Sequence, residues 1–282
     1  MNKKLTVLVV LCSMSKDRFR IAKSVIRSLQ SLENSVNCNF IIIDNGSKYT
    51  LQQSELPGGS TYIAMPTNLG YWGILHWAMY SKFSPLTDSF PEYIYIVESD
   101  HIHFAPNKLN DVLESLDSYP HIYCARVAEF SVRYRYFYSK ESRLLPFKKK
   151  RSLVSTRNAI TKQKTSFVPI EENSVIYLSN WHARLPSVFR YVALRESFRQ
   201  LALLPSFTEH HFFEIMHNQS NHILVLDRGI FYPASSASNS KNVLSGSWMQ
   251  NYNGKTEGYQ PTRIAKLVPA ELLEKPISIL KT

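Results

Sequence analysis

The sequence predicts an α/β fold, with helices on both sides of a mostly parallel central sheet in a three-layer α/β/α arrangement. Three observations predict it. The runs Leu5–Leu11, Asn39–Ile43 and Tyr93–Val97 are short and rich in β-branched or aromatic residues, as strands covered on both faces must be. A segment with apolar residues at helical spacing separates the first two runs. The second and third runs end in carboxylates, Asp44 and Glu98-Ser99-Asp100. A strand buried on both faces excludes charge, so these acids belong at the carboxyl ends, where open α/β sheets bind ligands.

With 282 residues and 44% hydrophobic content, the chain is long enough for one large domain with a substantial core. The formal charge of +11 suggests nucleic acid until it is located. Residues 133–164 carry Arg133, Arg135, Lys140, Arg143, Lys148, Lys149, Lys150, Arg151, Arg157, Lys162 and Lys164 against the single acid Glu141, and the remainder is close to neutral. One basic, mobile segment is therefore expected rather than a nucleic-acid-binding domain. Its expected partners are anionic: a phosphate, a diphosphate-linked acceptor, or anionic lipid at the inner face of a membrane, and the plain alternative is a solvated loop. Cys12, Cys38 and Cys124 lack C-x-x-C spacing and read as small buried hydrophobes in a reducing, cytoplasmic setting. Lys3-Lys4 before Leu5–Leu11 imitates a signal peptide, but the apolar run is β-branched and a helix start follows at once, so it reads as the first strand. No run approaches the roughly 18–20 apolar residues that span a bilayer, so any membrane contact is peripheral.

Taken in order, Leu5–Leu11 leads to Ser13 and Ser15, which can cap a helix carrying Ile21, Val25, Leu29 and Leu32 on one face. The next strand closes in Asp44-Asn45-Gly46-Ser47, with clear turn chemistry. This β-α-β unit favours a parallel sheet with a right-handed crossover. The first turn lacks G-x-G-x-x-G, which counts against a dinucleotide-binding enzyme. Thr61–Met65 is a third strand, and Pro66–Gly70 turns into a helix with Tyr71, Ile74, Leu75 and Ala78 on one face. A helix over about 107–118 follows the acidic strand end, then a strand over Ile122–Val127. Beyond the basic segment come a strand over Ser174–Leu178, a helix through about 186–200, a helix capped by Thr208, and a strand from His222 to Asp227 that can extend to Tyr232. From Pro233 the Ser-, Asn- and Gly-rich composition predicts a poorly packed tail.

The strand with a Ser-containing turn, the strand ending Asp44-Asn45-Gly46-Ser47, the Asn68-Leu69-Gly70 turn and the strand ending Glu98-Ser99-Asp100 occur in an order that resembles the nucleotide-binding half of a GT-A fold glycosyltransferase, most similar to family 2. The likeness covers residues 5–105 well and 170–232 in outline. It implies a Rossmann-like GT-A domain over 1–232: a nucleotide-binding half (1–105), a basic insertion (133–170) and an acceptor half (171–232), with 233–282 as a tail. It also implies transfer of a sugar from a nucleotide-diphosphate donor to a hydroxyl acceptor, a surface glycan or lipid-linked saccharide, with Mn²⁺ or Mg²⁺. Position by position, Ser13 would border the base, Asp44 would contact base or ribose, and Asn68 and Gly70 would lie beneath the nucleotide. Glu98-Ser99-Asp100 occupies the place of the D-x-D motif, with Asp100 as cation ligand and Glu98 on the ribose side.

A hard cation on carboxylate oxygen suits this chemistry, because the leaving diphosphate carries concentrated negative charge. An inverting transfer also needs a base for the acceptor hydroxyl. The resemblance points to Glu209, at a helix start, with Glu214 as the fallback; a first-turn Glu that favours the helix dipole is the plain alternative. His101 and His103 alternate beside Asp100 and read as structural or substrate-edge residues, with no third nearby His or Cys to complete a transition-metal set. Trp72 and Trp77 read as core, and Trp181, beside Asn180 and His182, is nominated for acceptor contact. Two alternatives stay open: a sugar-phosphate nucleotidyltransferase, for which Cys12–Lys16 lacks the glycines, and a non-catalytic glycan- or anion-binding protein on a degenerate scaffold.

Overall fold

The computed structural model describes residues 5–33, 35–105, 107–127, 130–135, 150–155, 167–172, 174–179, 187–227, 229–233, 266–269 and 272–282. In its first half, β1 (Leu5–Leu11), α1 (Lys16–Glu33), β2 (Cys38–Asp44), β3 (Thr61–Ala64), α2 (Gly70–Tyr80), α3 (Leu86–Ser89) and β4 (Tyr93–Glu98) follow in order. Strands β2 and β4 flank β1 in parallel, and β3 pairs parallel with β2. All seven residues of β1 are buried, as expected for the centre of a sheet covered on both sides. Its side chains divide by alternation: Leu5, Val7, Val9 and Leu11 enter one core, Leu8 and Val10 the other. Fully burying each such side chain contributes about 1.5–3 kcal/mol.

Ser15 caps α1, its hydroxyl accepting the Arg18 N–H at 3.3 Å. Helix α1 buries Ile21, Val25, Leu29 and Leu32 with Ala22 and Ile26 in the first core. Helix α2 buries Ile74, Leu75, Trp77, Ala78 and Met79 in the second. The helices flanking the parallel half thus serve opposite faces of the sheet.

The second half comprises β5 (His101–His103), α4 (Lys108–Ser118), β6 (Cys124–Arg126), the ribbon β7 (Phe130–Arg135) with β8 (Lys150–Ser155), β9 (Phe167–Pro169), β10 (Ile176–Ser179), β11 (Val188–Arg190), α5 (Tyr191–Ala202), α6 (Glu209–Gln219), β12 (Ile223–Leu226), β13 (Phe231–Pro233) and β14 (Ser278–Lys281). The ten-stranded sheet runs β14-β3-β2-β1-β4-β11-β6-β12-β10-β9.

Several expectations are corrected here. The sheet is mixed: β11 runs antiparallel to both β4 and β6, β10 is antiparallel to β9 and β12, and β14 is antiparallel to β3. The helix expected from about 186 begins at Tyr191, because Val188–Arg190 first forms the strand that bridges the two halves of the sheet. The expected strand from His222 towards Tyr232 is two: β12 pairs with β6 and β10, while β13 pairs with β5 in a separate ribbon. Part of the basic segment, for which no element is expected from the sequence, is the antiparallel β7–β8 ribbon, with Arg133 opposite Ser152 and Arg135 opposite Lys150. The expected tail contributes an edge strand, β14, and buries Leu267 in the second core. Asn180, Trp181 and His182 lie outside the described residues. No helix among the described residues is long and apolar enough to cross a membrane.

Candidate functional site

The carboxyl ends of β1, β2 and β3 are joined by a network of loop hydrogen bonds. Asp44 is buried, with Oδ1 accepting the Ser47 N–H at 2.9 Å and Oδ2 accepting the Tyr62 hydroxyl at 2.7 Å. The Ser13 N–H donates to Ser47 Oγ at 2.7 Å, and the Ser13 carbonyl accepts the Tyr49 N–H at 3.1 Å. Asn45 Nδ2 donates to Asn68 Oδ1 at 3.0 Å and to the Gly70 carbonyl at 3.3 Å, while Asn45 Oδ1 accepts the Leu69 N–H at 2.9 Å. Asn68 Nδ2 reaches Cys12 Sγ at 3.3 Å, and its Oδ1 also accepts the Gly70 N–H at 2.8 Å. Ser13, Asp44, Asn68 and Gly70 therefore belong to one connected ledge. Two glycines permit it. Gly46, at φ +67°, packs so closely that a Cβ would lie 2.5 Å from Asn68 N, and Gly70 enters α2 at φ +70°.

Beside the ledge, alternation along β4 sorts its end residues. Ile94 and Ile96 face the second core, so Glu98 continues on that side. A turn at Ser99-Asp100 then leads into β5. Glu98, Asp100 and His101 each bring one donor atom within 4.8 Å of the other two. Asp100 and His101 are buried, whereas 35% of the Glu98 side chain is exposed. Partial desolvation first, and the Asp100 carboxylate second, raise Glu98 above its ordinary pKa, so this acid favours neutralisation by a proton or a cation.

The two carboxylates supply hard oxygen donors that suit Mg²⁺ or Mn²⁺. His101 does not complete the set. Its Nδ1 accepts the Glu98 N–H at 3.0 Å, so the neutral ring carries its proton on Nε2, which faces Asp100 Oδ1 at 3.5 Å and Glu98 Oε2 at 3.8 Å. A protonated Nε2 has no lone pair for a metal. His103 lies in the first core, with Nε2 2.8 Å from the Tyr95 hydroxyl and its N–H donating to Ser28 Oγ at 3.0 Å. Its environment is structural.

The structure brings Glu209 into the same electrostatic neighbourhood, since it raises both Glu98 and the Tyr71 phenol. Glu209 is exposed in the first turn of α6. Glu214 is exposed five residues on, about 140° around the helix from Glu209 at 3.6 residues per turn. The two acids therefore do not share a face.

Two nearby residues have a place in the site that the sequence alone does not give them. Tyr71 lies in the first turn of α2, and its shielded hydroxyl faces Glu98 without meeting hydrogen-bond geometry. Burial, then Glu98, Glu209 and Asp100, keep the phenol protonated well above its usual range. Arg18 reaches from α1 to donate from Nη2 to Ser99 Oγ at 2.8 Å, while its shielded Nη1 has no partner among the described residues. Proximity to Gly70 and to the Ser15 cap are the signals that could have found them.

Neither a family model nor a curated protein matches the sequence. Among solved structures, the chain is similar to S. aureus TarS 1-349, at 15% identity and a TM-score of 0.47, over 82% of this chain. The chain spans 60% of the length of that structure.

Proposed function

We propose that this chain is a glycosyltransferase that moves a sugar from a nucleotide-diphosphate donor to a hydroxyl acceptor with Mg²⁺ or Mn²⁺. The observation that carries the reading is the convergence of Glu98 and Asp100 beside the Asn45–Asn68 ledge, at the carboxyl ends of parallel strands. In this reading the base and ribose of the donor lie along Ser13, Asp44, Asn68 and Gly70. Asp100, with Glu98 on the ribose side, would hold the cation, which supplies charge neutralisation to the departing diphosphate.

Glu209 is the proposed general base. It takes the acceptor hydroxyl proton as the acceptor oxygen bonds to the anomeric carbon, and the bond from that carbon to the diphosphate breaks on the opposite side. The configuration inverts, and a nucleoside diphosphate leaves with the bonding electrons. Glu214 is the fallback base. The acceptor is proposed to be a surface glycan or lipid-linked saccharide, with residues 133–164 contacting anionic lipid at the cytoplasmic membrane face. Binding to anionic vesicles that falls steeply with salt would support that contact, and binding indifferent to salt would remove it.

Thermal shift with UDP, GDP, CDP, dTDP and ADP, each with and without Mn²⁺, tests the donor site. Stabilisation that needs Mn²⁺ and disappears in Asp100→Ala is expected. Equal binding without metal or without Asp100 rejects the site assignment. Release of nucleoside diphosphate from a panel of sugar nucleotides then separates an enzyme from a binding protein.

A further inference from the structure

We propose that Arg18 is a ligand of the donor's diphosphate, its free Nη1–H reaching a phosphoryl oxygen opposite the acid pair. The inference rests on the nucleotide-sugar reading above and adds a residue to it. Arg18 lies two residues beyond the start of α1, so its side chain approaches the end of β4 from the α1 side, while Glu98 faces the α2 side. The Nη2 bond to Ser99 Oγ, at 2.8 Å, anchors the guanidinium between the two acids in sequence.

The other arm of the guanidinium is the unusual feature. Nη1 is shielded from solvent and has no acceptor among the described residues. A buried donor on a charged group left unpaired is costly, and the simplest compensation is a ligand oxygen. The charge balance selects the ligand class. A divalent cation held by Asp100 beside Glu98 is balanced by the two acids, which leaves no countercharge for a diphosphate carrying two or three negative charges. A planar guanidinium anchored through one arm presents the other in fixed geometry, which suits phosphoryl oxygen. Ser99 thereby acquires a purpose as the positioning residue that orients Arg18.

The experiment compares two ligands by titration calorimetry: Mn²⁺ alone, and whichever of UDP, GDP, CDP, dTDP or ADP binds best in saturating Mn²⁺. Removing a positive charge beside a cation site leaves Mn²⁺ affinity unchanged or improves it, whereas losing a phosphate contact weakens nucleotide binding. Arg18→Ala is therefore expected to bind Mn²⁺ at least as tightly as the parent and the nucleoside diphosphate at least tenfold more weakly. Arg18→Lys, which keeps the charge but not the fork, should fall between them. If Arg18 merely clips the Ser99 turn, both affinities fall together, and that result overturns the proposal, as does unchanged nucleotide affinity. Should Arg18→Ala fail to fold, Arg18→Gln carries the same comparison. Absence of nucleotide binding in the parent protein rejects the nucleotide-sugar reading itself, and this inference with it. Binding that requires Asp100 but not Arg18 rejects this inference alone.

Discussion

Asn45 Nδ2 donates to Asn68 Oδ1 at 3.0 Å, linking the loop after β2 to the loop after β3. Asn45 is buried and its Oδ1 also accepts the Leu69 N–H, so truncation strands the Leu69 N–H and the Gly70 carbonyl in the loop after β3. Asn45→Ala is expected to cost about 1–3 kcal/mol in urea denaturation and to weaken nucleotide binding, since the ledge would no longer be preorganised. An unchanged midpoint would mean that the two loops hold their shape independently.

Gly46 sits under that ledge at φ +67°, with space for a Cβ already taken by Asn68 N at 2.5 Å. Gly46→Ala adds left-handed strain of about 1–2 kcal/mol to a backbone clash. Lower stability with a larger loss at Gly46 than at Gly59, where nothing lies within 4 Å of a Cβ, is the expected ranking. Equal losses at the two positions would leave φ strain as the sole cause.

If Glu209 is the base, Glu209→Gln should lower turnover by about 10²–10⁴-fold while leaving Mn²⁺-dependent nucleotide binding close to that of the parent. Glu214→Gln, on another face of α6, should stay within a few fold. The reverse ranking would transfer the role to Glu214.

Burial is the main cause that pushes His103 down to about 3 and His101 down to about 4. In the unfolded chain a histidine titrates near 6.5. As pH falls below about 6.5, the unfolded state takes up protons that the native state refuses, so stability is greatest above that point and declines towards the native values. Urea midpoints measured from pH 7.5 to 5 should fall with acidification, and His103→Asn should flatten the curve. A midpoint constant over that range would contradict neutral, buried imidazoles.

Strand β14 covers the edge of β3, and Trp77 Nε1 donates to the Glu274 carbonyl at 2.7 Å. Deleting residues 274–282 should therefore lower Tm and promote self-association, because β3 becomes an exposed edge and the Trp77 N–H loses its acceptor. Each kcal/mol lost corresponds to roughly 2–4 °C in a chain of this size class. An unaltered Tm would show that the returning segment contributes little to the sheet.

The parallel half is legible because its signals are local. Continuous apolar runs identify β1, β2 and β4, the spacing of Ile21, Val25, Leu29 and Leu32 identifies α1, and a buried strand forces Asp44, Glu98 and Asp100 to its carboxyl end. The turns after β2 and β3 are equally readable, since Asp44 Oδ1 accepts the Ser47 N–H and Asn68 Oδ1 accepts the Gly70 N–H, both within the turn itself.

What escapes is long-range. Val188–Arg190 is too short to carry a period, and becomes a strand because β4 and β6 leave a gap that it fills. Ser278–Lys281 reads as tail until β3 offers it an edge. Arg18 belongs to the polar side of α1 by periodicity and meets Ser99, 81 residues on in sequence, only because β1 and β4 are neighbours. His101 reads as a structural or substrate-edge residue; the turn at Ser99-Asp100 brings the Glu98 N–H to its Nδ1, which assigns the ring proton and removes it from the cation's donor set. Periodicity and turn chemistry act over a few residues and so are written in the chain, whereas pairing partners, desolvation and the orphaned guanidinium depend on which distant segments the sheet makes adjacent.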